Sequence, residues 1–99
     1  MSDLKTEMSV GVEAVRTLAD CLISIGHPSR LRIVQYCLQP RRFSDIIFNL
    51  QLNPASFKFH AKVLMDGDLI RKVERGVYKT TELGKLLLEL VSQANSLSD

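Results

Sequence analysis

Long hydrophobic runs are missing from the 99-residue sequence. No segment approaches the roughly 20 apolar residues that a membrane-spanning helix requires. The N-terminal residues Met-Ser-Asp-Leu-Lys-Thr-Glu also lack the positively charged and then apolar order of a secretory signal peptide. We therefore expect a cytoplasmic protein that has no membrane partner.

Cysteine is scarce as well, since the sequence contains two, Cys21 and Cys37. They form no Cys-x-x-Cys pair and are too few for the disulfide framework of a small secreted domain. We expect both to be free thiols. Cys37 follows Ile33 and Val34 at helical spacing, which predicts a small core residue. Cys21 could reach an interface between two copies, so a redox response stays open.

The residue combinations that carry catalysis or hold metals are also missing. No Ser-His-Asp set, Gly-rich phosphate loop or paired-carboxylate cleft can be assembled from the chain. The histidines and cysteines lie on separate predicted elements without the paired spacing of a metal site. We expect His27 to cap a helix and His60 to make a structural hydrogen bond. The sequence therefore predicts no enzyme, no bound metal and no cofactor.

The net charge is only +2, but it is unevenly distributed. Residues 30 to 79 contain ten Lys and Arg against four Asp and Glu, a local balance of +6, whereas each flank has −2. A charged segment is usually only a solvated surface, although this one also suits a polyanionic partner. The chain has 99 residues, of which 45% are apolar. This length and composition predict a single domain over residues 1–99, and further burial is expected from a partner chain.

A helix with a defined start is predicted at residues 53 to 66. Asn53 can cap it through the side-chain oxygen, and Pro54 suits a first helical position, where no N–H donor is needed. Phe57, Ala61 and Leu64 recur at helical spacing and form one apolar stripe. The remaining face is basic and carries short side chains.

A second, shorter helix is predicted just before it. Residues 43 to 50 have apolar positions at Ile46, Ile47 and Leu50, and Ser44 is the candidate capping residue. Only about three residues join this helix to the next one. The pair over residues 43–66 is therefore a predicted helix-turn-helix.

Residues 69–80 are predicted to form a two-stranded β-hairpin, or wing. Two β-prone runs, residues 69–73 and 77–80, flank Glu74, Arg75 and Gly76, a composition typical of a hairpin turn. Arg75 is expected at the tip.

Amphipathic helices are predicted at both ends of the chain, within segments 1–25 and 81–97. The second of these begins at the capping residue Thr81 and has a sustained apolar stripe. Such a helix either folds back on its own domain or pairs with a second copy. We expect a homodimer formed through both helices, and the predicted interface residues are Val15, Leu18, Leu22, Leu86, Leu87, Leu90, Val91 and Ala94.

Three sequence blocks resemble the ArsR-like winged-helix transcription regulators. They are residues 23–34, which contain Gly-His-Pro-Ser-Arg-Leu-Arg-Ile, then residues 56–70, and finally residues 78–84. The match runs from about Leu22 to about Leu90. The resemblance implies a mainly α fold with a small β-hairpin, a winged helix-turn-helix that dimerises through its N- and C-terminal helices. It also implies that the recognition helices enter successive major grooves of DNA, with the wings reaching flanking minor grooves.

The sequence departs from the metal-sensing members of that family. Residues 43–47 read Phe-Ser-Asp-Ile-Ile where the commonest metal motif has Cys-x-Cys, and residues 85–99 lack the histidines of the other metal set. Metal sensing is therefore not expected from the resemblance.

Basic and short polar side chains of the helix-turn-helix and wing are the candidate DNA contacts. Lysines suit phosphates, Ser56 and Phe59 suit base edges, and a wing-tip arginine suits a narrow minor groove. Phe59 could instead pack as a core residue. The predicted set is Arg41, Arg42, Ser44, Ala55, Ser56, Lys58, Phe59, Lys62, Lys72 and Arg75.

These observations predict a homodimeric, sequence-specific transcription regulator that binds double-stranded DNA. Two alternatives stay open. One is a metal- or redox-responsive regulator that uses Cys21 and Cys37. The other is a winged helix that assembles proteins without binding DNA.

Overall fold

The computed structural model describes the backbone of residues 25–98 and the side chains of residues 25–93. The predicted first helix, with Val15, Leu18, Cys21 and Leu22, lies outside the described residues, and so does the side chain of Ala94. The described elements are α1 (Pro28–Tyr36), β1 (Arg41–Arg42), α2 (Phe43–Leu50), α3 (Pro54–Asp66), β2 (Ile70–Glu74), β3 (Val77–Thr80) and α4 (Glu82–Ser98). None of these helices is long and apolar enough to cross a membrane.

Helix α1 is the central element of the described fold. As predicted, His27 caps it, because its Nδ1 accepts a hydrogen bond from the Ser29 backbone N–H at 3.2 Å, and Pro28 occupies the first turn. The helix packs against α2, α3, α4 and β3. Ile33 and Val34 on its inner side are fully buried.

Helix α2 has the predicted bounds, but Ser44 is not its cap. Arg42 precedes the helix and makes no side-chain capping bond. The unforeseen strand β1 explains the difference, because Arg42 pairs with Val77 of β3 and the Phe43 N–H donates to the Gly76 carbonyl at 2.8 Å. The wing backbone therefore satisfies a donor at the helix start that a side-chain cap would otherwise serve.

The turn between α2 and α3 has the predicted length. Gln51 adopts the left-handed conformation with φ 53°, and the Leu52 N–H donates to the Ile47 carbonyl at 3.1 Å. Asn53 then caps α3, because its Oδ1 accepts a hydrogen bond from the Ala55 N–H at 2.8 Å. The two helices and this turn form a helix-turn-helix over residues 43–66.

The wing belongs to a three-stranded antiparallel sheet in the order β1-β3-β2. Strand β2 begins at Ile70 and extends to Glu74, so the turn is shorter than predicted and consists of Arg75 and Gly76. Gly76 has φ +73°, a conformation that glycine adopts without steric cost. The register slips between Lys72 and Glu74, as in a β-bulge.

Thr80 attaches the wing to α1. Its buried hydroxyl donates to the Val34 carbonyl at 2.6 Å, and its N–H donates to the Cys37 carbonyl at 2.8 Å. These bonds satisfy carbonyls at the end of α1 and hold β3 against the core. The buried apolar core consists of Ile25, Ile33, Val34, Cys37, Ile46, Leu50, Phe57, Ala61, Leu64, Leu69, Ile70, Tyr78 and Leu87.

Helix α4 starts after the predicted cap, Thr81. The Thr81 Oγ1 accepts a hydrogen bond from the Gly84 N–H at 3.1 Å and donates to the Asp68 carbonyl at 2.6 Å. A Cβ on Gly84 would lie 2.6 Å from Thr80 Cγ2 and closer still to the Leu69 carbonyl oxygen. Glycine at this position therefore allows α4 to approach the start of β2.

Candidate nucleic-acid interface

Helix α3 has one buried face and one exposed face. Its buried residues are Phe57, His60, Ala61 and Leu64, and the Phe57 ring packs edge-on against Tyr78 at 5.2 Å between centroids. All five candidate contacts on this helix are exposed: Ala55, Ser56, Lys58, Phe59 and Lys62. The structure thus places these five residues on the solvent side of a helix whose opposite side is in the core.

Phe59 is a surface residue, with 60% of its area exposed. The alternative that it packs in the core is therefore wrong. The Arg30 guanidinium carbon lies 5.8 Å from the Phe59 ring centroid, within cation–π distance, and the His60 ring lies 5.7 Å away. These two neighbours lie beside the ring, and most of its area remains exposed.

A polar contact between Arg30 and His60, the two neighbours of Phe59, links α1 to α3. The Arg30 Nε–H donates a hydrogen bond to His60 Nδ1 at 3.1 Å, and the His27 ring lies 4.7 Å from the His60 ring. His60 makes a structural hydrogen bond, as predicted. Burial lowers the pKa of His60 below its usual 6.5, and the charges of His27 and Arg30 lower it further. Burial and the two neighbouring charges therefore favour the neutral form of the imidazole.

The two predicted wing contacts, Lys72 and Arg75, are both exposed. Lys72 lies on the same side of the sheet as Tyr78, with its Nζ 5.7 Å from the ring centroid. Two further basic residues, Arg71 and Lys79, were not predicted as site residues, and they face each other across β2 and β3. Because strand residues alternate between faces, the two-residue period of the hairpin predicts that Arg71 and Lys79 lie on the face opposite to the buried residues.

The candidate contacts near the start of α2 differ in how far they are exposed to solvent. Arg41 is half-buried, its Nε–H donates to the Tyr36 carbonyl at 2.9 Å, and its guanidinium lies 4.3 Å from the Tyr36 ring centroid. It therefore helps to hold β1 against the end of α1. Arg42 and Ser44 are exposed.

Phe48 is an exposed aromatic residue that was not among the predicted site residues. It lies on α2 and has 83% of its area exposed, whereas Ile46 and Leu50 of the same helix are buried. Phe48 lies between these two core residues in the sequence but off their helical face, and this spacing predicts an exposed side chain.

The predicted interface residues of α4 do not all lie on one surface. Leu86 and Leu90 have 51% and 40% of their area exposed, while Leu87 is fully buried in the core of its own chain. Val91 is half-buried. One side of the helix therefore packs on its own domain, while Leu86 and Leu90 remain uncovered within the described residues.

Cys37 is buried in the core, as predicted. Burial raises the pKa of its thiol to about 12, an effect that the nearby Arg41 charge only partly opposes. Within residues 25–98, no group of three or more His, Cys, Asp or Glu residues is arranged to hold a metal ion.

Two solved structures share this architecture. Reduced HlyU from Vibrio cholerae N16961 is 19% identical, with a TM-score of 0.69 over 89% of this chain and 95% of that one. The transcriptional regulator HlyU from Vibrio vulnificus CMCP6 is 24% identical, with a TM-score of 0.64 over 93% of this chain and 97% of that one. No family model and no curated protein sequence matches the chain. The chain thus has the winged helix-turn-helix fold of these HlyU proteins.

Proposed function

We propose that this protein is a transcription regulator of the ArsR-like type that binds double-stranded DNA as a homodimer. The observation that carries the proposal is the exposed face of α3. It places the hydroxyl of Ser56, the ring of Phe59 and the ammonium groups of Lys58 and Lys62 on the side of the helix away from the core. A helix of this kind in the second position of a helix-turn-helix fits the DNA major groove.

The chemistry of that face divides into two roles. The lysines suit phosphate oxygens, which contribute affinity but not sequence preference. Ser56 can exchange hydrogen bonds with base edges, and the exposed Phe59 ring can contact a thymine methyl group. The structural likeness to a protein described as a transcriptional regulator supports the same reading.

A homodimer would bring two such helices to one DNA site. The uncovered Leu86 and Leu90 on α4 support this assembly, because exposed apolar side chains that lie one turn apart suit a partner helix. A two-fold dimer is expected to recognise a pseudo-palindrome with half-sites about one helical turn apart.

The test is selection of bound duplexes from random DNA, followed by affinity measurements between about 50 and 200 mM salt. We expect Lys62→Ala to weaken binding to all duplexes similarly and to reduce the salt slope by about 1. Ser56→Ala should change the ranking of duplexes by roughly 1–3 kcal/mol. Lys85→Ala, which removes an equal charge from α4, is the matched control. Absence of any selected sequence, or equal behaviour of Lys62→Ala and Lys85→Ala, would contradict the proposal.

The redox-responsive alternative is less well supported in the described part of the chain. The buried Cys37 has a raised pKa, and the thiolate is the form that reacts with oxidants. The assembly-only alternative predicts that Lys58, Lys62 and Arg75 are dispensable, so the same salt-dependence experiment separates it from DNA binding.

A further inference from the structure

A second group of basic side chains lies at the base of the wing, on strands β2 and β3. Arg71 and Lys79 are direct partners in the register of β2 and β3. Their neighbours along the strands, Ile70 and Thr80, are buried partners on the opposite side of the sheet. The two basic side chains therefore share the outer face of the hairpin, where like charges directly opposite one another repel.

A cavity of about 280 Å³ opens beside this pair. Both basic side chains line it, together with Asp68 and residues 80–83 at the start of α4. The cavity is large enough for a small anion and is bounded on several sides, since β2, β3 and α4 all contribute to it.

The charges around the cavity leave the basic pair without a close counter-ion. Among the described residues, Glu82 forms its ion pair with Lys85, at 3.1 Å, and no carboxylate lies at ion-pair distance from Arg71 or Lys79. The Thr81 hydroxyl is also engaged, with the Asp68 carbonyl and the Gly84 N–H. Asp68 remains as the one lining carboxylate outside the Glu82–Lys85 pair.

We propose that this cavity, here called the wing-base site, binds a phosphate group held by Arg71 and Lys79. The planar guanidinium can donate two parallel hydrogen bonds to phosphate oxygens, and the ammonium adds a point charge. A dianion between the two cations also removes their mutual repulsion. The phosphate belongs either to a free phosphorylated molecule or to the DNA backbone, and in the second case the inference rests on the proposed function.

The free-phosphate arm is an NMR titration of the full chain with inorganic phosphate, at constant ionic strength maintained with chloride. We expect saturable shifts of the backbone amides of Arg71, Lys79 and Leu83. Arg71→Gln and Lys79→Gln should each weaken binding about tenfold, the effect of losing one charge-assisted hydrogen bond. Arg32→Gln, at an exposed position of α1 outside the cavity lining, is the charge-matched control and should bind as the parent does.

Asp68→Asn is expected to change the phosphate affinity in the opposite direction. Asp68 has φ +59°, a conformation that asparagine also tolerates, so the fold is retained while a competing negative charge is removed. We expect tighter phosphate binding in this variant. A structural role for the basic pair alone would not produce that gain.

The DNA arm measures the salt dependence of DNA affinity in the Arg71→Gln/Lys79→Gln double variant. A slope reduced by about 2 assigns the site to backbone phosphates. Saturable phosphate binding with an unchanged slope assigns it to a free phosphorylated ligand. Absence of both effects overturns the wing-base site. If the parent chain binds no DNA, the proposed function fails, while the phosphate titration still decides this inference.

Discussion

Arg30 on α1 and His60 on α3 are joined by a hydrogen bond, from Arg30 Nε to His60 Nδ1 at 3.1 Å. The bond requires an unprotonated Nδ1, because only the lone pair on that nitrogen can accept it. Phe59, a candidate base contact, lies next to both residues. The hydrogen bond beside the proposed DNA-reading face therefore depends on the protonation state of one imidazole.

The pH dependence of stability follows from the lowered pKa of His60. In the unfolded chain His60 takes up a proton near pH 6.5, whereas in the folded chain it does so only at lower pH. The contribution of neutral His60 to the free energy of unfolding is therefore fully present above about pH 6.5. It is lost as the pH falls from there through the pKa of His60 in the folded chain. Urea unfolding between about pH 5 and 8 measures this. His60→Gln should flatten the profile in this window, and parallel profiles for both proteins would contradict the assignment.

Two neighbouring phenylalanines on α3 should respond oppositely to substitution. Phe57 is fully buried and Phe59 is 60% exposed. Phe57→Ala is expected to lower the free energy of unfolding by about 3–5 kcal/mol, the typical cost of emptying a core aromatic site. Phe59→Ala should cost far less stability and should instead alter the choice among DNA duplexes. Chemical denaturation and DNA affinity, measured on both variants, test the pair. Equal losses of stability would place Phe59 in the core after all.

Gly84→Ala should destabilise the protein despite the higher helix propensity of alanine. The added Cβ would overlap the Leu69 carbonyl and Thr80 Cγ2, so α4 must move away from the wing. We expect a loss of about 1–3 kcal/mol, as for overpacking elsewhere. Thermal unfolding provides the measurement, and a raised midpoint would show that the contact relaxes freely. Ser92→Ala, at an exposed position of the same helix, is the control.

The dimer proposal predicts sedimentation at about 22 kDa, twice the 11.1 kDa of one chain. Leu86→Lys combined with Leu90→Lys should give a folded monomer that binds a palindrome more weakly, because two linked binding events become one. These positions are preferable to truncation of α4, which would also remove the core residue Leu87. Glu89→Lys, at a neighbouring exposed position, controls for the added charge. A parent chain that stays monomeric at micromolar concentration while binding palindromes tightly would exclude the dimer.

Cys37 should resist thiol reagents as long as the protein is folded. In a Cys21→Ser background, Cys37 is the remaining thiol, and its burial raises the pKa to about 12. At pH 8 almost no thiolate is present and no surface is accessible to the reagent. We expect labelling only after addition of denaturant. Rapid labelling of the native protein would show that the core around Cys37 opens readily.

The sequence alone was sufficient for the features that depend on neighbouring residues. The caps at His27, Asn53 and Thr81, the apolar stripe of α3 and the hairpin around Arg75 could all be predicted, because each rests on contacts within about one helical turn or one β-turn. Strand β1 could not be predicted, since a two-residue strand exists only through pairing with β3, which lies more than thirty residues along the chain.

Tertiary packing determines which side chains are exposed and can contact a ligand. Arg41 and Arg42 are adjacent identical residues, yet one stacks on Tyr36 and the other is exposed. Phe57 and Phe59 differ by two positions, and only the direction of the core separates them. In the same way, the wing-base site arises because register places Arg71 opposite Lys79 beside α4. Burial and long-range register depend on the whole fold, whereas a local pattern specifies only where an element begins, ends and turns its apolar face.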